Sequence, residues 1–330
     1  MKTKNLQRLV MATALTSVLF ACKKNNDNNS SSTSNADLQT QADDENRVSN
    51  ETDAAFDDIN TAMTNQTSVT GSSVSATVRY GVETEGGPVQ DTVQTNICGA
   101  VVTVDTMANP RTITITYNGK TCDLLRSRSG SVVISFAPGT RWVTANSQVN
   151  VAFNNLTITR LFDNKSITLN GTHTYTNVSG GSLGSLNANS TTKIIHTITS
   201  SNMSITFDNG TQRTWNIARQ RTYSFSSGLV VSTEGTHTDG GTTGISEWGT
   251  NRFGNSFTTS IVSPLVIKAG CGWQMTSGEA KLANSAGTTD LTFGLDATGA
   301  SIGCPVSGTY YFKLIWTGNG GKSYTFILPY

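Results

Sequence analysis
Ile113-Thr114-Ile115-Thr116-Tyr117 alternates apolar and polar side chains at every step, and Asn118-Gly119 follows. A period of two puts the three large apolar residues on one side of an extended strand and the threonines on the other. Asn-Gly after such a run predicts a turn into a second strand. The pattern recurs outward in both directions. Towards the N-terminus come Val102 with Val104, then Val74–Tyr80. Towards the C-terminus come Val132–Phe136, Val149–Phe153, Leu156 with Ile158, Ile194–Ile198, Ile205–Phe207, Trp215–Ile217, Tyr223–Phe225, Phe257–Ile267, Tyr310–Trp316 and Tyr324–Leu328. Asn170-Gly171, Asn209-Gly210 and Gly318-Asn319-Gly320-Gly321 read as further turns. Gaps this short suit hairpins, so the expected fold is all-β over residues 67–330. It is a large antiparallel meander sheet, twisted or curled on itself, with a packed face and a wet face rich in Thr, Ser and Asn.

One stretch departs from the period of two. Within residues 42–66, Val48, Ala55, Phe56, Ile59, Ala62 and Met63 share one helical face, with Asp57 and Asp58 on the other side. This predicts one N-terminal amphipathic helix packed on the sheet, and Thr52 could cap a shorter version of it. Residues 22–41 carry no apolar cluster and read as a disordered tether. Lys2, Lys4 and Arg8 precede an apolar run from Leu9 to Leu19 that is too short to span a bilayer. Leu19-Phe20-Ala21-Cys22 closes it with the pattern of a bacterial lipobox. Residues 1–21 are therefore expected to be a removable signal, with Cys22 the lipidated residue that attaches the chain to a membrane through acyl chains.

Four cysteines remain, and an even number in an exported chain points to disulfides. Three pairings are open, and the surroundings select Cys98–Cys122 and Cys271–Cys304. Each pair opens on Cys-Gly, spans two strand patterns, and closes before a Ser-Gly and a strong strand. Residues 95–137 and 268–317 thus look like one plan used twice. Each local bridge would contribute ~3 kcal/mol by restricting the unfolded chain.

The composition bounds the chemistry. Lys and Arg number 23 against 22 Asp and Glu, and no basic patch of the nucleic-acid-binding kind stands out. Nine of the acids lie at or before Asp58, and the rest are scattered without a paired-carboxylate motif. His173, His196 and His237 lie in no metal-ligand spacing, and no Cys-x-x-Cys occurs, so neither metal nor cofactor is expected. Gly180-Gly181-Ser182-Leu183-Gly184 matches a nucleophile elbow by letter, but no helical pattern follows it, so it reads as a loop. His173 and His237 share Gly-Thr-His-Thr and read as two exposed strand residues on the wet face, with a neighbouring pair there as the alternative. With Trp248, the tryptophan best placed to face solvent, they make up the candidate ligand surface.

Ile113–Tyr117, Gly119-Lys-Thr-Cys122, Arg126–Gly130 leading to Val132–Phe136, Gly249–Asn255 and Ser263-Pro-Leu-Val-Ile267 stand in an order that resembles a group of β-rich lipoproteins of unknown function from Bacteroidota-type bacteria. The resemblance spans residues 95–330 and implies no catalytic residues. Such bacteria carry acids just after the lipidated cysteine on surface-exported chains, and Lys23–Asp27 holds only one. Asp91-Thr92-Val93 and Asp105-Thr106-Met107 resemble the O-glycan acceptor triplet of the same bacteria, at Thr92 and Thr106. The function expected is therefore a lipid-anchored protein of the outer membrane, periplasmic or surface-facing. It would bind or scaffold an envelope protein or a glycan without catalysis. A glycan-acting enzyme and a lipid carrier with a curled-sheet cavity are the alternatives.

Overall fold
The structure is a computed structural model and describes residues 35–66, 97–187, 192–271, 274–304 and 310–329. One helix, α1 (Asn35–Asn65), precedes the strands. These are β1 (Ala100–Asp105), β2 (Arg111–Lys120), β3 (Arg126–Phe136), β4 (Ser147–Arg160), β5 (Ser166–Asn177), β6 (Ile194–Phe207) and β7 (Gln212–Phe225), then β8 (Leu229–Gly235), β9 (His237–Asp239), β10 (Thr242–Thr250) and β11 (Ser256–Lys268), and finally β12 (Gln274–Asn284), β13 (Gly287–Leu295), β14 (Tyr311–Gly318) and β15 (Ser323–Pro329). All the strand pairings are antiparallel and belong to one sheet. The expected strand Val74–Tyr80 lies outside the described residues.

The meander is strict from β1 to β7 and from β11 to β15. Between β7 and β11 a single column is shared by two strands. β8 pairs with the second half of β7 and with β11 at Leu265–Lys268. β10 pairs with the first half of β7 and with β11 at Ser256–Ser260. β8 and β10 are thus two halves of one interrupted strand, and the β9–β10 hairpin is the excursion between them. A Cβ on Gly235 at the neck of this excursion would lie 1.9 Å from the Gly244 carbonyl oxygen.

Two of the four expected turns are turns, Asn209-Gly210 and Gly318–Gly321. Asn118-Gly119 instead continues β2, paired with Ser129 and Arg128. Glycine is required there for a different reason: a Cβ on Gly119 would lie 2.9 Å from the Cα of Gly99. Asn170-Gly171 lies within β5 at a register shift. Such shifts recur in adjacent ladders, at Ser129/Ser131, Phe153/Leu156, Asn170/His173 and Ser200/Met203. They form a row of bulges across β3–β7, and bulges bend strands and increase twist.

The helix shows how far the sheet curls. Asp58 accepts from Tyr117 on β2 at 3.0 Å and pairs with Arg128 on β3, while Asp53 pairs with Arg219 on β7 at 3.2 Å. Strands β2 and β7 are five positions apart, or about 24 Å in a flat sheet. A helix with its side chains is about 10–12 Å across, so only a sheet wrapped around α1 reaches both of its flanks. Phe56, Ile59 and Met63 are buried against Ile113, Ile115, Val151, Tyr175 and Trp215. The expected apolar stripe is therefore the core stripe, but Asp58 does not face away from the sheet. The curl brings strands to the polar flanks as well.

The helix begins at Asn35, so residues 35–41 belong to it rather than to the tether. Once a segment is nucleated and packed, each further residue adds a hydrogen bond at little cost, and the helix grows outward past its apolar stripe. Thr52 caps nothing: it is buried in mid-helix and its hydroxyl donates to the Val48 carbonyl.

Both disulfides join the expected partners, with Cα–Cα separations of 5.2 Å for Cys98–Cys122 and 5.1 Å for Cys271–Cys304. Each brackets two paired strands, β1–β2 and β12–β13, and a third strand follows each unit.

Candidate functional site
Among the described residues, buried ionisable groups gather at the seam between α1 and β7. The alternation of β7 buries Arg213, Trp215, Ile217, Arg219, Arg221 and Tyr223 on the helix side. Glu247, on β10, is buried beside them. Its Oε2 accepts from Trp215 Nε1 at 2.8 Å and from Arg213 at 3.3 Å, and its Oε1 pairs with Arg219. Arg219 also reaches Asp53 of α1, and Asp53 Oδ1 accepts from Arg221 too. Arg213, Glu247, Arg219, Asp53 and Arg221 therefore form a chain of alternating charge that runs from the interrupted column through β7 into the helix. Each carboxylate in it faces two guanidiniums, the arrangement that makes a buried charge tolerable. Burial lowers the pKa of Arg219, against the pull of Asp53. Burial pulls Arg221 down as well, but Asp53, Tyr223 and Asp57 outweigh it and leave that guanidinium more firmly charged.

The rest of α1 repeats the theme. Asp44 pairs with Arg252, Glu51 with Arg126, and Asp43 with Arg160 at 2.9 Å, and Asn60 donates to the Tyr223 hydroxyl at 3.1 Å. Burial raises the carboxyls of Glu51 and Asp58 above the usual range and carries Asp44 up to about 6, against the pull of Arg252. Chemically the seam is a clamp. Both Glu247 oxygens are engaged, and Asp43, Asp44, Glu51, Asp53 and Asp58 of the helix face arginines.

The sequence-derived candidates are scattered relative to this seam. His173 is not on the wet face. It is fully buried, with its ring centroid 4.8 Å from that of Phe153, 5.4 Å from Phe56 and 5.9 Å from Trp215. Its place follows from parity, because it continues the inward series Ile167, Leu169 on β5. Burial, with Arg219 as a lesser cause, pushes its pKa down to about 3. His196 is buried likewise, between Trp142 and Tyr223, and falls to about 3 mainly by burial. His237 and Trp248 do meet: the half-buried rings stack 4.2 Å apart at 17°, at the base of the β9 excursion. The neighbour of His237 is therefore Trp248, and His173 is not beside it on the wet face.

Thr106 sits exposed at the β1–β2 turn, where Asp105 accepts from the Met107 and Ala108 amides at 2.9 and 2.8 Å. Cys22 and Thr92 lie outside the described residues. Ser182 is buried, and its hydroxyl accepts from the Gly184 amide, so it serves a loop cap. Along β2–β7, α1 fills the face that an acyl chain would need in a lipid carrier.

Sequence reading passed over Arg213, Arg219, Arg221 and Glu247. The signal for the arginines was present, since they share the parity of Trp215, Ile217 and Tyr223. Scanned against protein-family models, curated proteins and solved structures, the chain matches none.

Proposed function
We propose that this chain is a lipid-anchored envelope protein, held at the outer membrane through acyl chains on Cys22, whose β domain binds or scaffolds a partner rather than transforming a substrate. The lipobox pattern Leu19–Cys22 and the exported style of its cysteines support the address. The observation that carries the binding role is where the ionisable groups go. Asp44, Glu51, Asp53, Asp58 and Glu247 are all engaged by arginines that tie α1 to the sheet and β10 to β7. On β2, β4 and β5 the outward positions carry mainly hydroxyl and amide side chains, Lys281 and Asp290 stand exposed on β12 and β13, and β15 exposes apolar side chains. Such a surface recognises by shape, hydrogen bonding and apolar contact. Radiolabelled palmitate should enter the wild-type chain and not Cys22→Ala, and the variant should leave the membrane fraction. Equal labelling of the two would overturn the anchor and with it the address.

A further inference from the structure
We propose that the outer edge of β15 is a docking site for an extended, acid-flanked segment of another envelope protein, which adds to the sheet as a further strand. The proposal deepens the binding role put forward above and rests on it.

The inward face of the sheet does not end where α1 ends. Leu282 on β12 belongs to the core and sits opposite Thr289 of β13. From there the register continues the same face outward in rows. Thr289 faces Trp316 and Trp316 faces Tyr324; Leu291 faces Leu314 and Leu314 faces Phe326; Phe312 faces Leu328, with the Phe293 ring 5.9 Å from that of Phe312. The cover thins towards the edge, leaving Tyr324, Phe326 and Leu328 exposed by 50, 49 and 40 %. Three large apolar side chains on alternate positions of one edge strand form a face that a neighbouring strand would continue.

The edge itself is unguarded. β15 pairs with β14 at seven consecutive positions without a register shift, and among the described residues no strand pairs with its other side. Sheet edges are ordinarily blunted by charge, bulges, proline or shortness. Ser323–Pro329 contains no charged residue, and its single proline stands at the far end. The opposite edge, β1, is shorter and ends on Asp105.

Size and charge select the occupant. Three strands about 4.8 Å apart and seven residues long present roughly 300 Å², well below the ~800 Å² per partner of a stable dimer. That suits a single added strand, where main-chain hydrogen bonds give affinity and alternate side chains give specificity. Residues 310–329 carry Lys313 and Lys322 and no Asp or Glu, so carboxylates flanking the incoming segment meet cations and no like charge.

The test uses the chain from residue 22 onward with Cys22→Ala, so that acylation plays no part and a failed anchor leaves the result intact. The probe is a fluorescent peptide of alternating valine and threonine with two glutamates at each end. Its anisotropy should rise on binding, and hydrogen exchange should slow at the β15 amides. Phe326→Lys should weaken binding at least about tenfold, because an inward charge on an edge opposes pairing. Lysine-ended and alternately N-methylated peptides should lose binding similarly. Should Phe326→Lys fail to fold, Tyr324→Lys at the more exposed position takes its place. No binding at millimolar peptide, equal binding by the lysine variant, or protection elsewhere in the chain would overturn the proposal. So would a dimer in sedimentation that the lysine variant abolishes, or vesicle binding without peptide binding.

Discussion

His173 offers a sharp test of how the core is built. Its imidazole lies among Phe56, Phe153 and Trp215, and neither ring nitrogen has a hydrogen-bond partner among the described residues. Folding lowers its pKa from 6.5 to about 3, chiefly by burial. A base with a lowered folded pKa leaves stability unaffected above 6.5. It weakens the fold as pH falls towards 3, because only the unfolded chain takes up the proton. At about pH 5 the loss comes to about 2 kcal/mol for this one group. His173→Phe keeps a ring in the site and removes the titration. Urea unfolding followed by tryptophan fluorescence, with the disulfides intact, should be run at neutral pH and about pH 5. The wild type should lose about 2 kcal/mol more than the variant between the two conditions. Asp44 acts with the opposite sign, since its raised pKa favours the folded state as pH falls from about 6 towards 3.8. It is present in both proteins and cancels in the difference. At neutral pH the phenylalanine should be neutral or stabilising, since it replaces an unpartnered buried polar ring. Parallel losses in the two proteins would mean that the folded state protonates His173, and the account of the core would fail.

Other perturbations follow from the same geometry. Glu247→Gln leaves Arg213 and Arg219 short of their shared carboxylate, and denaturant titration should show a loss of about 3–5 kcal/mol; a change below 1 kcal/mol would sink the clamp. Cys98→Ser with Cys122→Ser opens a loop with a sequence separation of 24 and should cost ~3 kcal/mol, while peptide mapping of the wild type without reductant should recover the Cys98–Cys122 link. Gly235→Ala drives a Cβ into the Gly244 carbonyl, so it should cost about 1–3 kcal/mol and speed hydrogen exchange across β8–β10, and unchanged exchange there would refute the close approach at the neck.

The period of two made most of the sheet legible, and it failed at identifiable places. Val149–Phe153 and Leu156 with Ile158 read as separate segments because the inward parity changes from odd to even there. The structure joins them as β4 across the Phe153/Leu156 bulge. Ile194–Ile198 and Ile205–Phe207 are one strand, β6, for the same reason. The two-cysteine units were legible because their bridges are local. The seam was not, since its partners are remote in sequence: Asp53 and Arg219 are 166 residues apart, and Asp44 and Arg252 are 208 apart. An arginine at an inward parity announces itself only when the acid that answers it is known. The open lip at β15 was legible as a strand but not as an edge, because edge status depends on what pairs beside it.

The charge belt around α1 also sets an order of events. Alone, this helix carries eight acids against one base, and Asp53 and Asp57 repel one another one turn apart. Its own propensity is too weak to offset that burden in water. Its cations are spread from β3 to the β10–β11 turn and converge only when the intervening strands have found their register. The segment that leaves the ribosome early is therefore among the last to become ordered. Ordering of the helix waits on the register of the sheet.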